Sequence, residues 1–295
     1  MFSGKQLQKL GKRLRSDTDP ADVEMLNDYR RWFDPTLLHA AFGLNAALGR
    51  AGPAYLLSGR AKRTKSILRK LVREPTMDLS RMTDIVGLRF IVDCADEQLR
   101  IVDRLRDIVT VEKTADYTGP DHLYRAIHLQ GLMDGRKFEM QVRTLAQQLW
   151  ADESEAFGEQ AKEGKLTLEQ RTYLEELRDA VCAIDNGKPD VVMSSPLAKA
   201  RRPCEIGLRA LRDGFAAASR PHSGGHDRTL LVVHDEALNQ LMRQSIFRTE
   251  DRQDALAEYE RLMNTLEQTR FSVLLLNARN LESIKVTHPR FFRGA

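Results

Sequence analysis

The hydrophobic pattern of the chain is strongest between residues 85 and 92. This run is apolar apart from Gly87 and Arg89, and it is too rich in isoleucine and valine to favour a short helix. Its length and composition predict a buried strand in a sheet that is covered on both faces. Because an unpaired buried charge is costly, Arg89 and the neighbouring Asp84 both need partners.

Two interpretations of these charged residues are open. In the first, Asp84 closes a turn and the head group of Arg89 reaches water at the sheet edge. In the second, Asp84 holds a metal ion at the strand end and the Arg89 guanidinium binds phosphate. The strand pattern alone is compatible with both.

Two further segments alternate between apolar and polar residues, as strands do. They are residues 124–130 and 138–144, and Asp134-Gly135 between them is a hairpin signal. The second segment presents glutamate, glutamine and arginine on one face. Such a face is typical either of a functional site or of a strand that faces solvent.

Helical spacing of apolar residues predicts the elements around these strands. The predicted helical segments are a short one near the N-terminus, 21–48 with a break at Asp34-Pro35, 96–108, 145–157, 166–181, 206–215 and 251–269.

A basic segment at residues 56–71 begins with a short apolar run and continues through Gly59 into a predicted helix. A solvated helix is one interpretation of its charge. Beside a strand that ends in a carboxylate, however, several cations are what binding of a polyphosphate requires. Six cations lie within eleven residues, and they are Arg60, Lys62, Arg63, Lys65, Arg69 and Lys70.

The composition limits the class of protein. The 295 residues are enough for one large domain or two modest ones, and 42% hydrophobic with 30% charged residues is typical of a soluble globular protein. A net charge of +4 slightly favours anionic partners such as nucleotides or nucleic acid.

The cysteines and the N-terminus indicate the compartment. Cys94, Cys182 and Cys204 are widely spaced and form neither a zinc pattern nor a disulfide framework. The basic N-terminus lacks the apolar stretch of a signal peptide, and no segment approaches the length of a membrane span. We therefore expect a cytoplasmic protein without a membrane partner.

Four short motifs occur in the order found in a known family of enzymes. The segments are residues 59–71, which look like R-x-K-x-x-x-S-I-x-x-K-L; Asp84–Arg89, which look like D-x-x-G-[IL]-R; Tyr124–His128, which look like G-Y-[RQ]-S-x-H; and Glu139–Thr144 with Trp150-Ala151, which look like E-[IV]-Q-[IV]-R-T…W-A. Through them, residues 40–160 resemble the synthetase domain of the RelA/SpoT alarmone synthetases.

The resemblance implies an activity and a set of residues on the ATP side. These enzymes transfer the β,γ-pyrophosphate of ATP to the 3′-hydroxyl of a guanosine nucleotide. Asp84 is implied to hold Mg²⁺, with the catalytic Glu139 close by. The implied ATP-binding residues are Arg60, Lys62, Ser66, Lys70 and Arg89, with adenine between Arg60 and a second guanidinium from Arg100 or Arg104.

The acceptor side of the resemblance is less complete. Tyr124 is implied to stack on the acceptor base and His128 to contact the nucleotide, with Arg125 and Gln141 also on this side. The family usually has P-K-x-[NS]-G-Y before this tyrosine, whereas this chain has a loop one residue shorter that lacks the lysine and has Leu123 in place of glycine. Ala126 replaces the serine of the motif.

Departures on the acceptor side leave other functions open. We expect GDP or GTP as the acceptor, but the missing lysine and the basic charge also fit a toxic small synthetase that modifies adenine nucleotides or the 3′ end of tRNA. A catalytically silent nucleotide-binding regulator is a third possibility. The hydrolase motif at the start of the bifunctional family members, H…HD, is absent; His234-Asp235 is a lone dipeptide far downstream. The resemblance therefore implies a synthesis-only enzyme.

The C-terminal third has no chemical assignment. Residues 220–227 are the clearest linker, and His222 and His226 within it suit a flexible turn better than a metal site. Strands at 229–234 and 271–277 flank a charged helix and predict a small α/β unit that closes on residues 288–292. It is a candidate for self-association or for binding a regulatory protein.

The predicted fold class is α/β, with a mixed, largely antiparallel sheet flanked by helices and a C-terminal α/β appendage. The predicted domain organisation is an N-terminal helical region at 1–50, a pyrophosphotransferase domain at 51–185, a linker region at 186–228 and a C-terminal region at 229–295.

Overall fold

The structure is a computed structural model in which most of the chain is described. The described residues are 2–16, 18–49, 52–119, 121–162, 164–188, 191–219, 228–235, 237–238, 240–248, 250–267 and 270–278.

A five-stranded sheet forms the centre of the protein. Its strand order is β1-β2-β5-β4-β3; β2 and β5 run parallel, and every other neighbouring pair is antiparallel. The prediction of a mixed, largely antiparallel sheet is therefore confirmed. The strands are β1 (Leu56–Ala61), β2 (Val86–Val92), β3 (Thr110–Asp116), β4 (Ile127–Met133) and β5 (Arg136–Thr144).

One face of this sheet packs against the helices of the N-terminal half. Leu88 and Phe90 of β2 and Phe138 of β5 point into this core, where each is at most 1% exposed. The break between the second and third helices falls at residues 32–33, as expected from Asp34-Pro35. The helices are α1 (Gly4–Ser16), α2 (Pro20–Arg31), α3 (Asp34–Leu48), α4 (Thr64–Arg73) and α5 (Ala95–Ile108).

A second core covers part of the opposite face. Leu56 and Ile91 are the sheet residues in this core, so β2 is buried on both faces, as its composition predicts. The other end of the same face, around Gly87, lines an open cleft. The helices that follow the sheet are α6 (Leu145–Ala156), α7 (Glu159–Lys162), α8 (Leu168–Asp185), α9 (Pro196–Arg201) and α10 (Leu208–Ser219).

The C-terminal part forms a smaller antiparallel sheet with one helix. Its order is β7-β6-β8, and β8 lies beside β1 of the main sheet. The helix shares a core with Leu38 of α3. The elements are β6 (Arg228–Asp235), β7 (Gln240–Phe247), α11 (Arg252–Thr265) and β8 (Phe271–Ala278).

Several elements are missing from the sequence-based prediction, among them β3, β7 and α9. Strands β3 and β7 each lie at the edge of their sheet, and their side chains are mostly exposed. They therefore lack the alternation that marks a half-buried strand. Helix α9 lies in a stretch predicted to be irregular. Ser195 accepts from the backbone N–H of Ala198 at its N-terminus, and Pro196 occupies the first turn, where proline is tolerated.

Some predictions concern segments that the structure covers only in part. The proposed linker at 220–227, with His222 and His226, and the closing segment at 288–292 lie outside the described residues. Within the predicted linker region of 186–228, α9 and α10 contribute to the second core. The domain boundaries stay a prediction. Among the described helices, none has the length and apolar character needed to cross a membrane.

A buried carboxylate lies where α3 meets α11. Asp34 is 4% exposed and forms a hydrogen bond with Tyr259, while its Oδ1 has no hydrogen-bond partner among the described residues. Burial raises the pKa of Asp34 to about 7, although the charge of Arg30 and the Tyr259 hydroxyl act in the opposite direction. The charges of Arg31, which also lowers this pKa, and Glu260, which raises it, have smaller effects.

The raised pKa predicts a pH-dependent cost in stability. Between the unfolded pKa and about 7 the folded protein holds more protons at Asp34 than the unfolded chain, so its free energy of unfolding falls as pH rises. We expect Asp34→Asn, which cannot ionise, to gain about 2–3 kcal/mol relative to the unsubstituted protein between about pH 5 and about pH 8. Urea unfolding of both proteins across this range measures the difference, and a difference independent of pH would contradict the assignment.

Candidate active site

The open cleft lies on the main sheet, on the face that carries Gly87. It opens where the second core ends. Its lining combines several cations with two carboxylates, and the residues are Ser58, Arg60, Lys62, Asp84, Gly87, Leu88, Arg89, Glu139 and Gln141.

Strand register places the main residues of the cleft side by side. Gly87 of β2 pairs with Arg60 of β1 on one side and with Glu139 of β5 on the other. Because glycine has no side chain, the floor of the cleft stays open between the guanidinium and the carboxylate. In the next row of the same face, Arg89 of β2 pairs with Gln141 of β5.

Asp84 lies among cations just before β2. Its carboxylate forms an ion pair with Lys62, and its two oxygens lie 3.2 Å from Nζ of Lys70. Burial opposes its ionisation, but the two lysines outweigh burial and hold the pKa of Asp84 below its usual value. Asp84 is therefore ionised at neutral pH. For Lys62, burial prevails over the attraction of Asp84 and lowers the pKa.

The turn that carries Lys62 is fixed from two sides. Its backbone N–H donates to the carbonyl of Ile85 at 2.7 Å, which continues the pairing of β1 with β2. On the other side, Arg30 of α2 donates from Nε to the Lys62 carbonyl at 2.6 Å and from Nη1 to the Thr64 hydroxyl at 2.9 Å. Thr64 donates in turn to Asn27 of α2 at 2.6 Å. No sequence pattern indicated the role of Arg30, which lies 32 residues upstream of Lys62.

Glu139 is held by two hydrogen-bond donors. Its Oε1 lies 3.0 Å from Nδ1 of His128, and its Oε2 accepts from the side-chain amide of Gln141 at 2.7 Å. Burial opposes its ionisation, but the contacts with His128 and Gln141 prevail and the pKa of Glu139 is lowered. Glu139 is thus an ionised carboxylate at the floor of the cleft.

These three residues belong to a closed ring of hydrogen bonds. Nη2 of Arg143 donates to the Tyr124 hydroxyl at 2.7 Å and to Oε1 of Gln141 at 3.1 Å. The Tyr124 hydroxyl lies 2.7 Å from Nε2 of His128. The ring therefore runs from Arg143 to Glu139 along two branches, one through Tyr124 and His128 and the other through Gln141. Sequence reasoning identified Glu139 but not the role of Arg143, whose 4% exposure no local pattern reveals.

Arg89 is partly buried beside this ring. Burial and the nearby charge of Arg143 lower the pKa of Arg89, while Asp152 and Glu155 of α6 act in the opposite direction. Because β2 lies between β1 and β5, the side chain of Arg89 faces the open cleft and not the edge of the sheet. Arg89 presents a positive charge to the cleft from within the sheet.

Other predicted residues lie elsewhere. Arg125 is buried, and its guanidinium donates to the carbonyls of Thr118 and Gly119 instead of lining the cleft. Ser66 lies in the first turn of α4 and is not among the lining residues. Arg104, on α5, contacts the Leu48 carbonyl.

Tyr124 lies in a cluster of aromatic rings. Its ring meets those of Tyr117, His128 and Trp150 edge to face, with centroids 5.5–6.0 Å apart. Tyr117 also contacts His122 and His128 in this way. Tyr117 is thus a member of the aromatic cluster that the motifs did not indicate.

The family model that matches this chain covers the cleft. It is described as a region found in RelA/SpoT proteins and matches residues 59–160, which include every residue of the hydrogen-bonded ring. This region is a RelA/SpoT domain. The resemblance drawn from the four motifs is confirmed.

Curated proteins with similarity to this chain match about half of its length. Uncharacterised proteins of Mycobacterium tuberculosis and Mycobacterium bovis are each 30% identical over 158 residues, which are 51% of this chain and 57% of each relative. The chain thus spans a little over half the length of these curated relatives.

Two solved structures are similar to the chain at lower identity. The small alarmone synthetase 1 of Bacillus subtilis, bound to its product pppGpp, is 21% identical with a TM-score of 0.45, covering 60% of this chain and 98% of that one. A GTP pyrophosphokinase family protein of Streptococcus pneumoniae is 20% identical with a TM-score of 0.48, covering 61% and 98%. Similarity at this level leaves the substrates of this chain open.

The carboxylates of the RelA/SpoT domain fit the Mg²⁺ ion that the family implies. Asp84 and Glu139 line one cleft, and Mg²⁺ usually takes one or two carboxylates together with substrate phosphates and water. No group of three or more histidine, cysteine or acidic side chains that could hold a metal exists among the described residues. The donor set therefore suits an ion that arrives with phosphates better than one held by protein alone.

The ring predicts the tautomer of His128. Arg143 can only donate to Tyr124, and the Glu139 carboxylate can only accept from His128. A neutral His128 therefore carries its proton on Nδ1 and accepts the Tyr124 hydroxyl proton at Nε2. We expect ¹⁵N nuclear magnetic resonance of the neutral ring to show a protonated Nδ1 and a bare Nε2. A proton on Nε2 would contradict this direction of the ring, and Tyr124→Phe, which removes the donor to Nε2, is the control.

Proposed function

We propose that this chain is a pyrophosphokinase that transfers the β,γ-pyrophosphate of ATP to the 3′-hydroxyl of GDP or GTP. The observation that carries the proposal is one cleft in a RelA/SpoT domain where two ionised carboxylates face several cations. Phosphoryl transfer depends mainly on positioning and on offsetting charge, and this cleft offers groups for both.

The cations form the ATP side of the cleft. Arg60, Lys62 and Arg89 line it, and Lys70 reaches the same carboxylate as Lys62. A triphosphate that enters would compete with Asp84 for Lys62 and Lys70. The guanidinium plane of Arg60 at the cleft edge suits stacking on adenine. Ser66 remains a proposed ATP-binding residue that the cleft lining does not include.

The two carboxylates would hold Mg²⁺ together with the phosphates of ATP. Bound there, the ion would neutralise phosphate charge and orient the triphosphate. Asp84 would be released from its lysines as these turn to the phosphates. Glu139 would keep its contacts with His128 and Gln141, because these do not involve the cations.

Glu139 is the proposed general base. It would accept the proton of the acceptor 3′-hydroxyl, whose oxygen then bonds to the β-phosphorus. The bond between the β-phosphorus and the oxygen bridging to the α-phosphorus breaks, and AMP leaves with that oxygen. His128 and Gln141 hold Glu139 in one orientation, so no side-chain rotation is needed at the moment of proton transfer.

The acceptor would bind on the side of the aromatic cluster. The ring of Tyr124 is a stacking surface that tolerates any purine, worth about 1–3 kcal/mol per base. Its hydroxyl is engaged with His128 and Arg143, so the ring is fixed before the acceptor arrives. Arg125 would act on this side through the backbone of residues 118–119 that it holds.

A product assay tests the proposal. The protein is incubated with γ-labelled ATP and, in separate reactions, GDP, GTP, ADP or deacylated tRNA, with ATP alone as the reference. We expect guanosine tetra- or pentaphosphate as the dominant labelled product. Label mainly on an adenine nucleotide or on tRNA would indicate the toxic type of synthetase instead, and no transfer to any acceptor would indicate a silent nucleotide-binding protein.

Glu139→Gln tests the base within the same assay. Since the amide cannot accept the proton, we expect kcat to fall at least about a hundredfold while ATP still binds. Glu112→Gln is a matched control, because Glu112 lies on edge strand β3 and pairs with Lys137 at the surface. Near-normal turnover of Glu139→Gln would rule out Glu139 as the base.

A further inference from the structure

The C-terminal unit, β6–β8 with α11, contacts β1, α2 and α3. Strand β8 lies beside β1, which bears Arg60. Helix α11 shares a core with Leu38 of α3, and Asn264 of this helix contacts Arg31 of α2. The proposed reaction assigns no role to this unit.

A line of buried polar side chains runs from α11 to the cleft. Tyr259 of α11 forms a hydrogen bond with Asp34, the first residue of α3. Only the turn at residues 32–33 separates Asp34 from the end of α2, where the Arg30 carbonyl accepts from the backbone N–H of Phe33 at 2.9 Å and the charges of Asp34 and Arg30 interact. The Arg30 side chain holds the Lys62 carbonyl and the Thr64 hydroxyl. Every one of these side chains except Lys62 is at most 4% exposed.

Because these side chains are buried, each depends on its neighbours for hydrogen bonds and for compensation of its charge. Arg30 is 3% exposed, and a buried guanidinium needs a compensating negative charge. Asp34 is an acidic side chain near Arg30, and its charge acts on the guanidinium. Since Oδ1 of Asp34 has no hydrogen-bond partner among the described residues, the hydrogen bond with Tyr259 is the contact that orients this carboxyl group.

Arg30 in turn sets the position of the phosphate-binding turn. Its two donors hold the segment from Lys62 to Thr64 at the junction of β1 and α4. A shift of Lys62 changes the distance of its ammonium from the phosphates, and the energy of a charge–phosphate contact falls steeply with distance.

We infer that the C-terminal unit sets the affinity of the cleft for ATP through Tyr259, Asp34 and Arg30, which act as positioning residues for Lys62. This inference rests on the proposed binding of ATP at the cleft. It gives the C-terminal unit a defined function, which is to hold the ATP side of the site in its binding geometry. A protein or second copy that displaced this unit would weaken ATP binding without touching the cleft.

The first test compares two tyrosine variants. Tyr259→Phe removes only the hydroxyl. Tyr173→Phe is the matched control, because its hydroxyl also donates to a carboxylate, that of the partly buried Glu153 at 2.9 Å, but beside the second core. The probe is an ATP analogue with a methylene group between the α- and β-phosphorus, whose binding is measured by calorimetry in the full-length protein.

We expect Tyr259→Phe to weaken analogue binding by about threefold to tenfold, the range for residues along a coupling network, and Tyr173→Phe to leave it unchanged. In turnover, the KM for ATP should rise by the same factor while kcat and the KM for the acceptor stay within about twofold. Unchanged analogue affinity in Tyr259→Phe, or an equal loss in both variants, would overturn the inference.

A double-mutant cycle tests the route through Arg30. In an Arg30→Gln background, Tyr259→Phe should have no further effect on analogue binding, because the connection to Lys62 is already broken. Additive effects would overturn the route. Should Arg30→Gln not fold, Thr64→Val takes its place, since it removes the hydroxyl that Arg30 holds. Analogue binding does not depend on the acceptor, so failure here is distinct from a wrong assignment of the reaction.

Discussion

An ionised carboxylate below the protein surface needs hydrogen-bond donors or cations around it. The cleft depends on two such carboxylates, Glu139 and Asp84, which are stabilised in different ways. Glu139 is held by the hydrogen-bond donors His128 and Gln141, which stay with it throughout the proposed reaction. Asp84 is held by Lys62 and Lys70, which are also the cations that a triphosphate would attract. One carboxylate is thus fixed for proton transfer, while the other is arranged to exchange partners when a metal–nucleotide complex binds.

The main sheet makes this arrangement possible. Parallel pairing of β2 with β5 puts Gly87 next to Glu139, and antiparallel pairing with β1 puts Gly87 next to Arg60, so opposite charges face each other across a row without a side chain between them. Helix α6 closes one end of this face through Gln148, which accepts from Arg143. The arrangement depends on strand order as much as on the identity of the residues.

Sequence reasoning predicted the parts of the fold that have a strong pattern. The buried strand β2, the hairpin of β4 and β5 and most helices follow from periodicity, and the order of four motifs identified Asp84 and Glu139. The roles of Arg30 and Arg143 could not be found in this way, although Arg143 belongs to the last motif, because a cation in a helix or strand looks the same whether it is solvated or buried. Their roles arise from contacts between elements, as with Arg30, which contacts a turn that follows it by 32 residues. The edge strands β3 and β7 were missed because neither has a buried face to impose alternation.

The proposed mechanism depends on Asp84, which exchanges its two lysine partners for a metal ion bound with ATP. The most direct measurement is the affinity of Asp84→Asn and of the unsubstituted protein for the methylene analogue of ATP, each with and without Mg²⁺. We expect Mg²⁺ to strengthen binding to the unsubstituted protein and to have little effect on Asp84→Asn. This variant should retain metal-independent binding, because Lys62 and Lys70 are then released to the phosphates. An equal gain from Mg²⁺ in both proteins would contradict this exchange of partners at Asp84.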